Sequence, residues 1–336
     1  MWDMISYCKE QSSIKTANTC NLKIDKKKTD RYHCFFCIYK FYTTNTEMQF
    51  GTICIIGPGL IGGSIGLGLK RRNLVKTVIG AGYRTASIEK AINMHAIDSG
   101  TLNSAEAVKD ADIVILATSV NNIIDTADKI IPYMKPNAIL TDVGSTKNCI
   151  VEQISHKLRE GIVFVGAHPI AGSEQRGVEF ASPDLFAGST CIITTTNSHA
   201  KEVETISRLW SLLGAKVRYM TPEQHDEILA FVSHLPHLAA SCLINAINEE
   251  HLCCGASGLR DTTRVASGDP ELWVDIFEQN RKNIIKSIDQ YTHELHEFKN
   301  DLLCKNNAGI LGRLKKAKLL RDSVFQNNLG NKNTTK

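Results

Sequence analysis

One histidine stands out by its neighbours. Residues 166–174 read GAHPIAGSE, so the apolar run Ile162 to Val165 ends in small residues around His168, with Ser173 and Glu174 just beyond. An imidazole titrates near pH ~6.5 and passes protons readily, which makes a histidine at a strand end a candidate general base. A second cluster is SHLPH, Ser233 to His237. Ser233 and His237 are four residues apart and are expected on one helix face, with Pro236 kinking the helix. No carboxylate cluster is spaced to complete a His-x-x-His metal pair, and HELH at 293–296 lacks the HExxH spacing, so no metal site is expected. Arg260, Asp261 and Arg264 lie in GLRDTTRVASGDP among small residues, where a guanidinium fork suits an anion. Lys147 in VGSTK is a further candidate for proton chemistry.

Such groups need a scaffold. Residues 52–66 read TICIIGPGLIGGSIG, an apolar strand running into a glycine turn and then a helix. That is the dinucleotide-binding pattern in its required context. Gly57 permits the turn, Gly59 lets backbone approach a pyrophosphate, and Gly62 allows close packing of helix on strand. Leu60 and Ile61 open the helix whose N–H groups would face the phosphates. Thr118, after the buried strand ADIVILA, joins this cofactor-binding set. The strand ending in VIG should carry an acid for the ribose, but Gly82, Tyr83 and Arg84 stand there. Arg84 suits a 2′-phosphate, so the cofactor is expected to be NADP or NAD, with NADP slightly favoured. Strands and helices alternate through residue 213, and VGSTK and HPIAGSE each follow a strand. From about Pro222 the period becomes helical, with an apolar stripe at Ile228, Val232, Leu235, Ala239, Cys242 and Ala246.

Composition narrows the class. The chain has 336 residues, with 43% hydrophobic, 22% charged and a net charge of +4. A weak net charge offers no footprint for nucleic acid. Apolar runs fall short of a bilayer span, so no membrane association is expected. Eleven cysteines without regular spacing fit reduced thiols and a cytoplasmic location. Residues 1–47 lack periodicity and contain HCFFC; they read as a disordered extension, with Met48 as the native start. The expected domains are then 48–215, a sheet domain; 216–305, a helical domain; and 306–336, a flexible tail.

GPGLIGGSIGLGLK, DVGSTK, HPIAGSE, SHLPH and GLRDTTRVASGDPELW occur in that order, and together resemble the prephenate/arogenate dehydrogenase family over roughly residues 50 to 300. The resemblance implies an α/β fold: a Rossmann-type doubly wound sheet followed by an all-α dimerisation domain, working as a homodimer. It also implies oxidative decarboxylation of prephenate or arogenate, the small-molecule substrate. By the same resemblance His168 is the catalytic base and Ser145 helps position it. Arg264 clamps the substrate carboxylate, and His237, Ser233 and Ser173 bind substrate. Glu174 and Asp261 form a polar gate. The missing ribose acid is a departure from the pattern. Two rivals are a β-hydroxyacid dehydrogenase or imine reductase using Lys147, and an inactive NADP-sensing protein.

Overall fold

The computed structural model describes residues 49–173, 175–194 and 199–326. Eight strands form one sheet in the order β3-β2-β1-β4-β5-β6-β7-β8. They are β1 (Phe50–Ile56), β2 (Val75–Ala81), β3 (Ser99–Thr101), β4 (Ile113–Leu116), β5 (Ile139–Asp142), β6 (Val163–Ile170), β7 (Thr190–Thr194) and β8 (Lys216–Met220). The first six run parallel, and β7 pairs antiparallel to β6. The order 3-2-1-4-5-6 is the doubly wound dinucleotide-binding arrangement.

The sheet is covered on both faces, which is why its strands are apolar throughout rather than alternating. Successive side chains of β1 enter opposite layers. Ile53 and Ile55 pack in the core that holds Ile65 and Leu69 of α1 (Leu60–Arg71) and Trp210 of α6 (Ala200–Leu212). Cys54 and Ile56 pack in the other core, with Ile123 and Ala127 of α4 (Val120–Ile130) and Ile150 and Ile154 of α5 (Asn148–Ser155). The remaining helices of this half are α2 (Thr85–Asn93) and the short α3 (Ser104–Ala107).

The helical half begins with α7 (Pro222–Leu229), one π turn (Ala230–His234) and α8 (Leu235–Asn245). Thr221 caps α7 through a reciprocal box with Gln224. Pro236 lacks an N–H for the preceding turn, and the expected kink takes the form of that π turn. Then come α9 (Ser257–Thr263), α10 (Pro270–Gln279), α11 (Arg281–Leu303) and α12 (Asn307–Gln326). Ile276 of α10 is buried in the second sheet core, so the two halves share packing.

Four expectations need correction. The sheet domain does not end at 215: β8 pairs with β7 over Thr190↔Lys216 to Thr194↔Met220. Residues 306–336 are not a uniformly flexible tail, because α12 occupies Asn307–Gln326 and Arg313 reaches Glu294, Glu297 and Asp301 of α11. His168 does not sit on a loop: β6 extends to Ile170 because Gly166–Ile170 pair with β7. Finally, the continuous run Pro222–Asn245 is 24 residues and contains an 18-residue window of mean hydropathy 1.4, so by length and composition it could cross a membrane. It buries His225, Asp226, His234 and His237 within the protein. Residues 1–47, with HCFFC, lie outside the described residues. The seven cysteines among the described residues are all free thiols.

Candidate active site

Strand ends line up at one edge of the sheet. Ile56 pairs with Leu116, Leu116 with Asp142, and Thr141 with Val165. The segments just past these positions carry Gly57, Thr118, Ser145 and His168, at the carboxyl ends where such sheets bind ligands. Gly57 has φ +89, and a Cβ there would lie 2.6 Å from Ala117 O and 3.1 Å from Thr118 Cγ2. A Cβ on Gly62 would meet Gly57 O at 2.4 Å, so helix and turn touch through backbone. A Cβ on Gly59 would meet nothing within 4 Å, leaving the outer side of the turn open. Leu60 and Ile61, half-buried, begin α1, and no acidic residue occupies its first turn. These features fit a pyrophosphate at the helix N-terminus. Beyond β2, Arg84 is exposed, donates to Tyr83 Oη at 2.9 Å and lies 4.9 Å from the Tyr83 ring centroid.

His168 is 9% exposed, and its Nδ1 lies 2.8 Å from Nε2 of His225. Nδ1 of His225 lies 2.7 Å from Asp226 Oδ1. The same carboxylate accepts the N–H of Lys147 at 2.8 Å and of Asn148 at 2.9 Å, which fixes it at the N-terminus of α5. The ring tautomers follow from this order. A carboxylate only accepts, so His225 carries its proton on Nδ1 and presents a lone pair on Nε2. His168 must then donate from Nδ1, leaving its Nε2 as a free base. Burial first, then His225, Lys147 and His234, hold His168 well below the usual imidazole range. It is therefore neutral and proton-accepting at neutral pH. Burial also lowers His225, against the pull of Asp226.

The helical half extends this network. Asn280 donates to Asp226 O at 2.7 Å and lies 3.2 Å from His234 Nδ1. His234 is 1% exposed, and burial pushes it down to about 4. Regular helical spacing puts Ser233 and His237 on one face and gives His234 a role only within the His-x-x-His pair. The wider π turn instead turns His234 fully inward and leaves Ser233 half-buried. His237 is buried and stacks on Trp273 at 3.6 Å, and its Nδ1 has no partner among the described residues. Burial lowers it too.

The other expected residues lie further out. Ser145 is half-buried beside the Asp142-bonded Gly144. Ser173 is exposed and its Oγ accepts from Gln175 N. Arg264 and Asp261 are exposed, and Asp261 Oδ1 lies 3.4 Å from Arg260 Nε. Glu174 lies outside the described residues. Arg176, just beyond it, bridges to Asp269, the N-cap of α10, beside an open cavity of about 590 Å³. Lys147 is fully buried against Asp142, so it is not the free base that a β-hydroxyacid dehydrogenase would need. Among the described residues no group of three His, Cys, Asp or Glu is placed to hold a metal.

A dinucleotide turn, a buried neutral histidine and a helical half sharing the site define a two-domain NAD(P)-dependent dehydrogenase. Comparison makes this specific. The family described as prephenate dehydrogenase, nucleotide-binding domain, matches residues 65–219, and its dimerization domain matches 221–315. Prephenate dehydrogenase of Bacillus subtilis is 32% identical over 81% of this chain and 76% of its own length. Cyclohexadienyl dehydrogenase of Zymomonas mobilis is 29% identical over 81% of this chain and 95% of its own. A crystal structure of prephenate dehydrogenase from A. aeolicus, in complex with hydroxyphenyl propionate and NAD+, superposes with TM-score 0.76 and 33% identity, covering 82% of this chain and 98% of that one. Arogenate dehydrogenase of Synechocystis superposes at 0.71 with 29% identity, covering 81% and 99%. The chain belongs to the prephenate dehydrogenase family.

Proposed function

We propose that this dehydrogenase oxidatively decarboxylates prephenate to 4-hydroxyphenylpyruvate, or arogenate to tyrosine, with His168 as general base. The observation that carries this is the relay from Asp226 through His225, which leaves His168 Nε2 unprotonated and buried. Nε2 takes the proton from the ring hydroxyl as the carbinol carbon gives up hydride. When bound, the nicotinamide supplies the hydride acceptor. Loss of carbon dioxide then leaves an aromatic ring, so no Lewis acid is needed to stabilise a carbanion. Arg264 supplies a fork for the substrate carboxylate, and Ser145, past the neighbouring strand end, helps position His168. His237, with an unpartnered Nδ1 against Trp273, and Ser233 receive the substrate side chain. Ser173 adds a polar contact, and Glu174 with Asp261 would close over bound substrate.

NADP is used at least as well as NAD, because Gly82 replaces the ribose acid and Arg84 stands beside it. The enzyme acts in the cytoplasm as a homodimer joined through its helical half. Absorbance at 340 nm, with prephenate and arogenate each offered with NAD and NADP, tests the reading. Turnover of either substrate supports it, and no turnover in all four pairings refutes it.

A further inference from the structure

Beneath the imidazole relay lies a charged pair that the proposed chemistry leaves unused. Asp142, at the end of β5, and Lys147 are both fully buried. An apolar pair of the same size would avoid the desolvation this costs. The hydrogen bonds of the pair all go to the walls of the site. Asp142 Oδ2 accepts the N–H of Gly144 at 2.8 Å and the Lys147 ammonium. Its Oδ1 accepts the N–H of Ala167 at 3.1 Å. Gly144 precedes Ser145, and Ala167 precedes His168. The β5–β6 register ends at Thr141↔Val165, so this side chain takes over where the ladder stops. Lys147 continues the tie, since its own N–H donates to Asp226 Oδ1, the oxygen that holds His225. There is little slack. A Cβ on Gly144 would lie 2.8 Å from Asp142 Oδ2, and one on Gly166 would lie 3.3 Å from Lys147 Cδ.

We propose that the Asp142–Lys147 pair positions the base: Asp142 holds the Ser145 loop and the His168 strand in one register, and the Lys147 ammonium keeps the relay from taking up a proton. This rests on His168 being the base. The groups facing His168 are His225 of α7, His234 of the π turn, Lys147 and Asp142 from β5 and its loop, and Cys191 of β7. Cys191 is a neutral thiol whose pKa burial raises. Lys147 is the cation of the set, and it acts in the same direction as burial on His168.

The test is titration of His168 by NMR of the full chain labelled at histidine Cε1, beside the acid limb of kcat/KM. In Lys147→Met, His168 should titrate about one pH unit higher than in wild type, and the acid limb should move with it. Turnover number should fall about tenfold in Asp142→Asn combined with Lys147→Met, where the carboxylate that holds the Gly144 and Ala167 N–H groups is lost and the register loosens. Lys147→Arg keeps the charge and should leave both titrations in place. If Lys147→Met does not fold with Asp142 left uncompensated, Asp142→Asn combined with Lys147→Met removes both charges and carries the same expectation. A folded variant of either kind whose His168 titrates as in wild type overturns the proposal, since a purely structural pair would leave that titration unmoved. The NMR arm needs no turnover. Should wild type turn over neither substrate while His168 still shifts, the functional reading fails and the positioning role stands.

Discussion

His225 Nε2 stands 2.8 Å from His168 Nδ1, so an imidazole on the first helix of the second half sets the proton of an imidazole on the sixth strand of the first. The link is directional, because Asp226 accepts from the far nitrogen of His225. Either half alone would leave His168 free to choose its tautomer. Together they leave one nitrogen of His168 able to take a proton.

Replacing His168 by Asn should remove the base and keep the shape. The expected result is a kcat lower by on the order of 10²–10⁴ with cofactor affinity unchanged. Asp226→Asn should also lower kcat, by about tenfold or more, because the amide can present its N–H side to His225 and reverse the tautomers. Steady-state rates with cofactor titration by fluorescence check both. Near-normal turnover in the His168 variant would remove the base assignment. Near-normal turnover in the Asp226 variant alone would show that the relay does not set the tautomer.

The buried imidazoles make stability depend on pH with a definite sign. His168, His225 and His234 all have folded pKa values below the unfolded value. Below about pH 6.5 the unfolded chain binds protons that the folded chain refuses, so stability falls as pH falls. For His234, held at about 4, the loss reaches roughly 3 kcal/mol by the time pH reaches that value. Melting temperature should therefore be flat from pH 8 to 7 and drop from pH 6.5 to 4.5. His234→Gln should flatten the drop, and a melting temperature that rises on acidification would contradict the burial of neutral imidazoles.

Arg84 offers a separate test at the other end of the cofactor. It stacks on Tyr83 at the surface with its guanidinium open to solvent, and no carboxylate follows β2. Arg84→Ala should raise KM for NADP about tenfold and leave NAD within about twofold, since a charge-assisted contact to a 2′-phosphate is lost. Wild-type kcat/KM favouring NAD by tenfold would sink the preference for NADP.

Much of this was legible in the sequence, and the failures are physical. The glycine turn could be read because Gly57 and Gly62 are fixed by local backbone crowding. The place of His168 near a strand end could be read because its flanking small residues and preceding strand are local too. His225 and Asp226 were missed because their only local signal is the capping box of Thr221 and Gln224, which marks a helix start and says nothing about residue 168. The place of His234 beside the relay was not legible because helical spacing assumes 3.6 residues per turn, and the π turn at Ala230–His234 breaks that count. The extension of β6 depends on its pairing with β7, a partner that period-2 patterns cannot name. The tail was misread because α12 is held by Arg313 to acids on α11 rather than by an amphipathic stripe of its own.

The helical half also predicts its own partner. Among the described residues the apolar stripe of the helical half is left uncovered: Ile228 is 46% and Val232 66% exposed, and Leu243 and Ile285 are exposed as well. Leu311, Leu314, Leu319 and Leu320 of α12 are exposed beyond them. Contiguous apolar surface of this kind is covered in stable proteins, and a two-fold interface is the commonest cover. Obligate interfaces bury on the order of 2,000 Å² or more and resemble a core cut in half. The second matched segment, residues 221–315, is described as a dimerization domain and spans most of these positions. Light scattering at micromolar concentration should therefore give about twice the chain mass of 37.1 kDa. Val232→Glu should split the dimer and lower kcat/KM at least tenfold, because α7 and the π turn carry His225 and His234 into the site. A species near one chain mass that does not change on concentrating, with full activity, would show that these faces stay uncovered.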